Sequence, residues 1–273
     1  MARGFAPCAL LCSAWIVACA GTEETLITTT PDGGAGGAPS NVPPANVSFQ
    51  IQLSGDLDDS VDADVYDIDL ESTTERQFAS LHAAGRSVGC YFSAGTLETF
   101  RDDARDFPDA VVGKPHPDYP TESWLDVRSD AVKALMVARI ELGRAKGCDA
   151  VHPANVSVFS ADSGFSITQA ENAAFATALA AAAHERGLSI AWSDEPGDFP
   201  ELEKTFDWGI AIQCVEYGRC SRWLPFRDAR KPVFVVEIGT AADASRVCPA
   251  ARALGLGAII KDSNYTAFRV GCP

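Results

Sequence analysis

Residues 64–93 read DVYDIDLESTTERQFASLHAAGRSVGCYFS, and the fold follows from how that stretch is parsed. Residues 64–70 alternate polar and apolar positions with a β-branched and aromatic bias, which is a strand pattern. Residues 74–84 then take helical spacing, and Gly85 stands where a left-handed turn ends a helix. Residues 87–93 form a second strand. A strand, a helix and a strand in so short a span make a parallel βαβ unit.

The same alternation extends in both directions. Further strand-like runs occupy 47–53, 150–156, 189–194, 208–214, 232–238 and 257–262, which brings the number of strands to eight. Helical spacing is clearest at 129–146 and 168–186 and recurs at 241–254 and 199–205. Gly147, Gly187 and Gly255 repeat the role of Gly85 just before the next strand. Between the sixth and seventh strands, residues 217–230 contain Pro225 and predict an irregular crossover. Eight strands alternating with helices over residues 47–273 predict an α/β fold, a (β/α)8 TIM-type barrel. The competing open, doubly wound sheet would need a Gly-rich phosphate turn after an early strand to bind a nucleotide, and the sequence has none.

Residues 1–20 pair Arg3 with an apolar run over 5–18, long enough for a secretory signal and too short to span a bilayer. Ile16-Val17-Ala18-Cys19 has the form of a bacterial lipobox, in which Cys19 would be lipidated; ordinary cleavage after Ala20 also meets the small-residue requirement. Residues 21–46, rich in Thr, Gly, Pro and Ala, read as a flexible tether. The expectation is an exported protein, either a cell-envelope lipoprotein or a freely secreted form, with membrane contact only through an N-terminal lipid anchor.

Setting aside Cys8, Cys12 and Cys19 leaves six of the nine cysteines, an even number for a compartment that permits disulfides. Cys214 and Cys220 are close enough to staple a loop, and Cys248 with Cys272 is the next pairing expected. Without a C-x-x-C pair no zinc site is expected, and no cofactor is called for. The net charge of -15 argues against nucleic acid and favours a neutral or cationic partner, while also keeping an exported protein soluble.

Barrel sites lie at the C-terminal ends of the strands. Polar residues late in each run are Gln52 and Asp56, Asp67 and Asp69, Tyr91 and Ser93, His152 and Asn155, then Asp194, Gln213, Glu237, Lys261 and Asp262. Asp67 and Asp69, two apart, share the face that looks into the barrel. Asp67 is expected to be held by a cation or backbone N–H, and Asp69, nearer the mouth, to reach substrate. Among Trp124, Trp192, Tyr91 and Tyr119, Trp192 is the leading candidate to stack on a sugar ring. His82 and His184 fall on helices, where a structural role is expected.

Three strings, Val65-Tyr66-Asp67-Ile68-Asp69, Cys90-Tyr91-Phe92-Ser93-Ala94-Gly95 and Trp124-Leu125-Asp126-Val127-Arg128, resemble glycoside hydrolase family 114 in content, order and spacing. Gly147-Cys148-Asp149-Ala150-Val151, Gly164-Phe165-Ser166-Ile167-Thr168 and Gln213-Cys214 extend the resemblance over residues 47–272. It implies a (β/α)8 barrel and endo-acting hydrolysis of α-1,4-linked polygalactosamine, a polymer that is cationic where deacetylated and so suits an acidic protein.

Glycoside hydrolysis ordinarily needs two carboxyl groups flanking the scissile bond. The resemblance places them at the ends of the fourth and sixth strands, in strings like Glu-Pro-Asp-Asn and Asn-Glu-Gln-Cys. Here those strings are His152-Pro153-Ala154-Asn155 and Ala211-Ile212-Gln213-Cys214, so Ala154 and Ile212 stand where the carboxylates would be. After the fifth strand, Trp192-Ser193 replaces a Lys-Asn pair. The fallback carboxylates are Asp69, Asp194 and Glu237, with Asp149 and Glu216 behind them. The substrate-binding set implied is Asp67, Asp69, Tyr91, Ser93, His152, Asn155, Trp192, Gln213 and Glu237. The expectation is a barrel that binds an amino-sugar polysaccharide with hydrolysis impaired. An active polygalactosaminidase with relocated carboxylates is the alternative, and a protein-interaction role without sugar is the third reading.

Overall fold

A computed structural model describes residues 41–45, 47–199 and 201–272; the expected signal segment, Cys19 and most of the expected tether lie outside the described residues. The strands are, in chain order, β1 (Phe49–Gln52), β2 (Val65–Asp69), β3 (Ser87–Ser93), β4 (Thr96–Glu98), β5 (Val112–Pro115), β6 (Glu122–Leu125), β7 (Ala150–Ala154), β8 (Ser189–Trp192), β9 (Trp208–Ile212), β10 (Val233–Ile238), β11 (Gly257–Lys261) and β12 (Val270–Gly271). Eight of them pair in parallel in the order β1-β2-β3-β7-β8-β9-β10-β11, and β12 adds antiparallel to β11. These eight are the runs expected from the sequence, and the curled sheet with its outer helices is the expected barrel.

The helices are α1 (Glu75–Ala83), α2 (Asp130–Lys146), α3 (Gln169–Glu185), α4 (Leu202–Thr205), α5 (Leu224–Asp228) and α6 (Ala244–Ala253). Reciprocal capping boxes start α1 at Thr74 with Gln77 and α3 at Thr168 with Glu171. Gly147 ends α2 at φ 96°, a conformation that favours glycine. His82 on α1 and His184 on α3 meet Asp149 and Asp207, which lie just before β7 and β9. Both histidines therefore tie helix ends to the strand starts, away from the mouth.

Two apolar layers follow from the period-2 alternation of the strands. One packs the sheet against the helices, with Tyr66, Ile68, Phe92, Trp192 and Phe206 among its buried members. The other fills the barrel with Phe49, Ile51, Val65, Trp208, Phe234 and Val236. Phe49 and Phe234 stack at 4.4 Å, and the Trp208 ring stands edge-on to both. Gly89 leaves room for Trp208, since a Cβ there would come within 3.3 Å of the indole. Full burial of each such side chain contributes about 1.5–3 kcal/mol.

Two features were not read from the sequence. Residues 96–125 form a separate three-stranded sheet, β4-β6-β5, between β3 and α2. The β1–β2 crossover is a loop braced by Gln52 and by the Tyr66 hydroxyl donating to Val61 O. Among the described residues, three disulfides join Cys90 to Cys148, Cys214 to Cys220 and Cys248 to Cys272, including both pairings expected. Such bonds persist in oxidising compartments, as in exported proteins.

Candidate functional site at the barrel mouth

The strand phase that buries Val65, Ala150, Trp208 and Ile210 inside the barrel also aims Asp67, Tyr91, His152, Ala154 and Ile212 inward. Asp67 and His152 are both buried, and His152 Nδ1 lies 2.6 Å from Asp67 Oδ2. In that arrangement the ring N–H donates to the carboxylate, which orients the imidazole. Asp67 Oδ1 and His152 Nε2 have no hydrogen-bond partner among the described residues. The Tyr91 ring stands edge-on to His152 at 5.3 Å, and burial pushes its phenol far above the ordinary value. The partner of Asp67 is thus a histidine rather than the Lys, Arg or backbone N–H expected.

Asp69 is a different kind of carboxylate. Arg101 grips it at 3.0 and 2.7 Å and also pairs with Glu98, while Ser72 donates from N and Oγ. Burial pushes the Asp69 carboxyl up, but Arg101 and Ser72 outweigh it and hold the group below the ordinary range. Beside this ion triad, Thr96 donates to Glu122 and shares a short contact with Ser93, which accepts from Asn155 Nδ2 at 3.0 Å. Asn155 itself sits at φ 57°, as Gln213 does at φ 50°; both follow directly on a strand end. Non-glycine residues in that region carry about 1–3 kcal/mol of strain and cluster at functional sites.

Asp194, just past β8, accepts from Ser157 N at 2.6 Å, and burial pushes its carboxyl above the ordinary value against that bond. It lines a cavity of about 270 Å³ with Ser193, Ile212, Gln213, Tyr217 and Trp223. Glu237 points out of the barrel: Oε1 and Oε2 accept from Val215 N and Glu216 N, at 2.7 and 3.1 Å, so the carboxylate holds the loop after β9. Glu216 pairs with Arg246 at 3.0 Å. Asp149 lies before β7, at the far end of the strand from the mouth.

Trp192 corrects the expectation placed on it. As the residue after inward-facing Ala191 it points to the helix layer, where it is fully buried against Phe199 and Phe206 and offers no face to a sugar. Gln52 likewise braces a loop, donating from Nε2 to Asp56 O and accepting from Asp58 N. Lys261 is buried, donating to Gln50 Oε1 and Thr266 O, and Asp262 accepts from Asn264 N and Thr266 N.

The matched parts of the chain cover nearly all of this architecture. The model of "Glycoside-hydrolase family GH114" matches residues 31–273. The chain belongs to glycoside hydrolase family 114. Among solved structures, Ega3 of Aspergillus fumigatus, in complex with galactosamine, is 34% identical at a TM-score of 0.83, over 88% of this chain and 100% of that one. The glycoside hydrolase domain of PelA from Pseudomonas aeruginosa is 12% identical at a TM-score of 0.65, over 82% of this chain and 98% of that one, and a single-residue variant of the same domain matches at 0.64. At that identity PelA speaks to the fold alone. No curated protein matches the chain in sequence.

The ends of β7 and β9, where the sequence resemblance led catalytic carboxylates to be expected, carry none on the inward face. Ala154 is the last residue of β7 and Ile212 the last of β9, with one strand between them, and both face inward. Neither side chain can give or take a proton.

Proposed function

We propose that this family 114 barrel is exported, binds an amino-sugar polysaccharide of the galactosamine type, and has lost hydrolysis by the pair of carboxylates the family resemblance assigns to β7 and β9. The observation that carries the reading is the combination of Ala154 and Ile212 at those strand ends with the engagement of the other acids. Asp69 is gripped by Arg101, Glu237 by two backbone N–H groups and Glu216 by Arg246. Removing a catalytic carboxylate typically costs orders of magnitude in rate. What remains is a binding surface of Tyr91, Asn155 and Gln213 at the mouth, and below it lie Asp67 Oδ1 and His152 Nε2, two buried polar atoms without a partner among the described residues. The galactosamine in the complex of 34% identical Ega3 and the net charge of -15 support a cationic sugar. A lipid on Cys19 would hold the barrel at a membrane through the tether.

One observation favours the alternative of a surviving hydrolase. Asp194, with its carboxyl raised by burial, has the property a general acid needs. It would still require a second carboxylate at the separation hydrolysis demands. The deciding experiment incubates the purified protein with partly deacetylated α-1,4-galactosaminogalactan and measures both polymer pull-down and release of reducing ends. Binding without release is expected. Release that disappears in Asp194→Asn would establish the hydrolase, and absence of both binding and release would refute either carbohydrate reading.

A further inference from the structure

The loop after β9 is held far more firmly than its exposed position requires. Cys214 and Cys220 close it covalently, with their Cα atoms 4.7 Å apart. Arg219 N donates to Cys214 O at 2.7 Å and Tyr217 N to Gln213 O at 3.1 Å. From behind, the buried Glu237 carboxylate accepts from Val215 N and Glu216 N, although burial raises that carboxyl and its ionised form is costly there. At the loop's entry Gln213 takes the left-handed conformation, φ 50°. A disulfide, a buried carboxylate and a strained residue are all directed at one short segment.

That segment displays Tyr217, a residue that is 60% exposed. Arg219 lies over the ring at 5.5 Å and is itself held by Glu195 at 3.4 Å, a carboxylate that also pairs with Arg222 at 3.1 Å and accepts from Gly197 N. A guanidinium can cover one face of a ring; exposure of this extent leaves the other open. The cavity beside it, about 270 Å³, is lined by Ile212 and Gln213 from the end of β9 and by Asp194 and Glu195 from the end of β8. An open aromatic face next to carboxylates is the arrangement that takes a hexosamine: the C–H face of the ring stacks on the aromatic, and the hydroxyls and ammonium meet the acids. Preorganisation explains the bracing, since a platform fixed before binding loses less conformational freedom when the sugar arrives.

We propose that Tyr217, held by the Cys214–Cys220 loop and supported from behind by Glu237, is a stacking platform for one hexosamine residue of the bound polymer, with Asp194 and Gln213 at the cavity receiving its polar groups. The proposal rests on the reading that the mouth binds an amino-sugar polymer. Glu237 acts here as a positioning residue that never touches the sugar.

The test measures binding of α-1,4-linked galactosamine oligosaccharides to the full chain by calorimetry. Quenching of Trp223, buried at the cavity wall, serves as a second signal. Tyr217→Ala is expected to weaken binding about tenfold, with Tyr217→Phe within about twofold of the parent and the melting temperature nearly unchanged, because the ring is exposed and its contact with Arg219 lies at the surface. Cys214→Ser with Cys220→Ser should weaken binding with Tyr217 still present. If the parent binds and Tyr217→Ala binds equally well, the platform is refuted while the polymer-binding reading stands. If the parent binds none of the oligosaccharides, both fall together.

Discussion

Arg101 shows how one residue can decide whether a carboxylate is available for chemistry. With Asp69 and Glu98 both buried against it, deleting the guanidinium strands two acids in a poorly solvated site. Arg101→Leu should therefore cost about 3–5 kcal/mol, read as a lower melting temperature at neutral pH. That loss should shrink in acid, because Asp69 is held below its ordinary pKa. Its stabilisation is present above the unfolded pKa near 3.8 and is lost as pH falls through the lower folded value. Ala154 and Ile212 pose the converse case, positions that face the mouth and that the proposed function takes to have held acids. Ala154→Asp combined with Ile212→Glu is expected to yield measurable reducing ends from partly deacetylated galactosaminogalactan, and either substitution alone at least about a hundredfold less. A double variant that folds, binds and does not cleave would count against these positions. That Ala154 and Ile212 end inward-facing strands was legible in the sequence, since the period-2 pattern of β7 and β9 places them there. The fate of Trp192 was not: whether the last residue of a strand faces the barrel or the helices turns on a one-residue phase, and the apolar run of β8 is compatible with both.

At the scale of elements, legibility tracked periodicity and chain-local chemistry. All eight barrel strands could be read because alternation and glycine helix ends mark them, and both expected disulfides close short segments. The β4-β6-β5 sheet escaped because its strands are only three or four residues long, too short for an apolar period to announce them. Tyr217 escaped for a related reason: a lone aromatic in a loop has no sequence signature until the disulfide and Glu237 are seen to hold it. Glu237 itself reads as a site carboxylate from position alone, and only its bonds to Val215 N and Glu216 N reveal a structural task. Glu237→Gln keeps one acceptor oxygen for two N–H groups and should loosen the loop without unfolding the barrel. Hydrogen exchange is expected to accelerate at Val215 and Glu216 and to stay unchanged in α2 and α3. Equal protection in the parent and the variant would show that the disulfide alone sets the loop.

For the molecule as a whole, the weak place is the seam between its first and last parallel strands. Residues 262–272 bridge it: Leu53 N and Ser54 N donate to Tyr265 O, Arg269 Nε donates to Phe49 O, and the Cys248–Cys272 bond ties the segment to α6. Lys261 donates across the seam to Gln50 Oε1, fully buried, with its pKa lowered by burial to about 8. Between about pH 8 and about 10.5 the unfolded chain holds a proton on this lysine that the folded barrel does not. Stability from this group therefore rises with pH across that window and is lost as pH falls through about 8. Tyr66, pushed up by burial to about 12, acts in the opposite sense once unfolded tyrosine begins to ionise near 10, so the useful range ends below that. Lys261→Met removes the titrating group but leaves Gln50 Oε1 and Thr266 O without their donor, so its overall stability at one pH mixes two effects. The pH dependence separates them. Denaturant melts of the parent minus those of Lys261→Met should show a difference that grows in the parent's favour from about pH 7.5 to about pH 9.5. A flat difference would mean that the ammonium stays charged within the folded seam and that closure of the barrel relies on the backbone bridge and the disulfide instead.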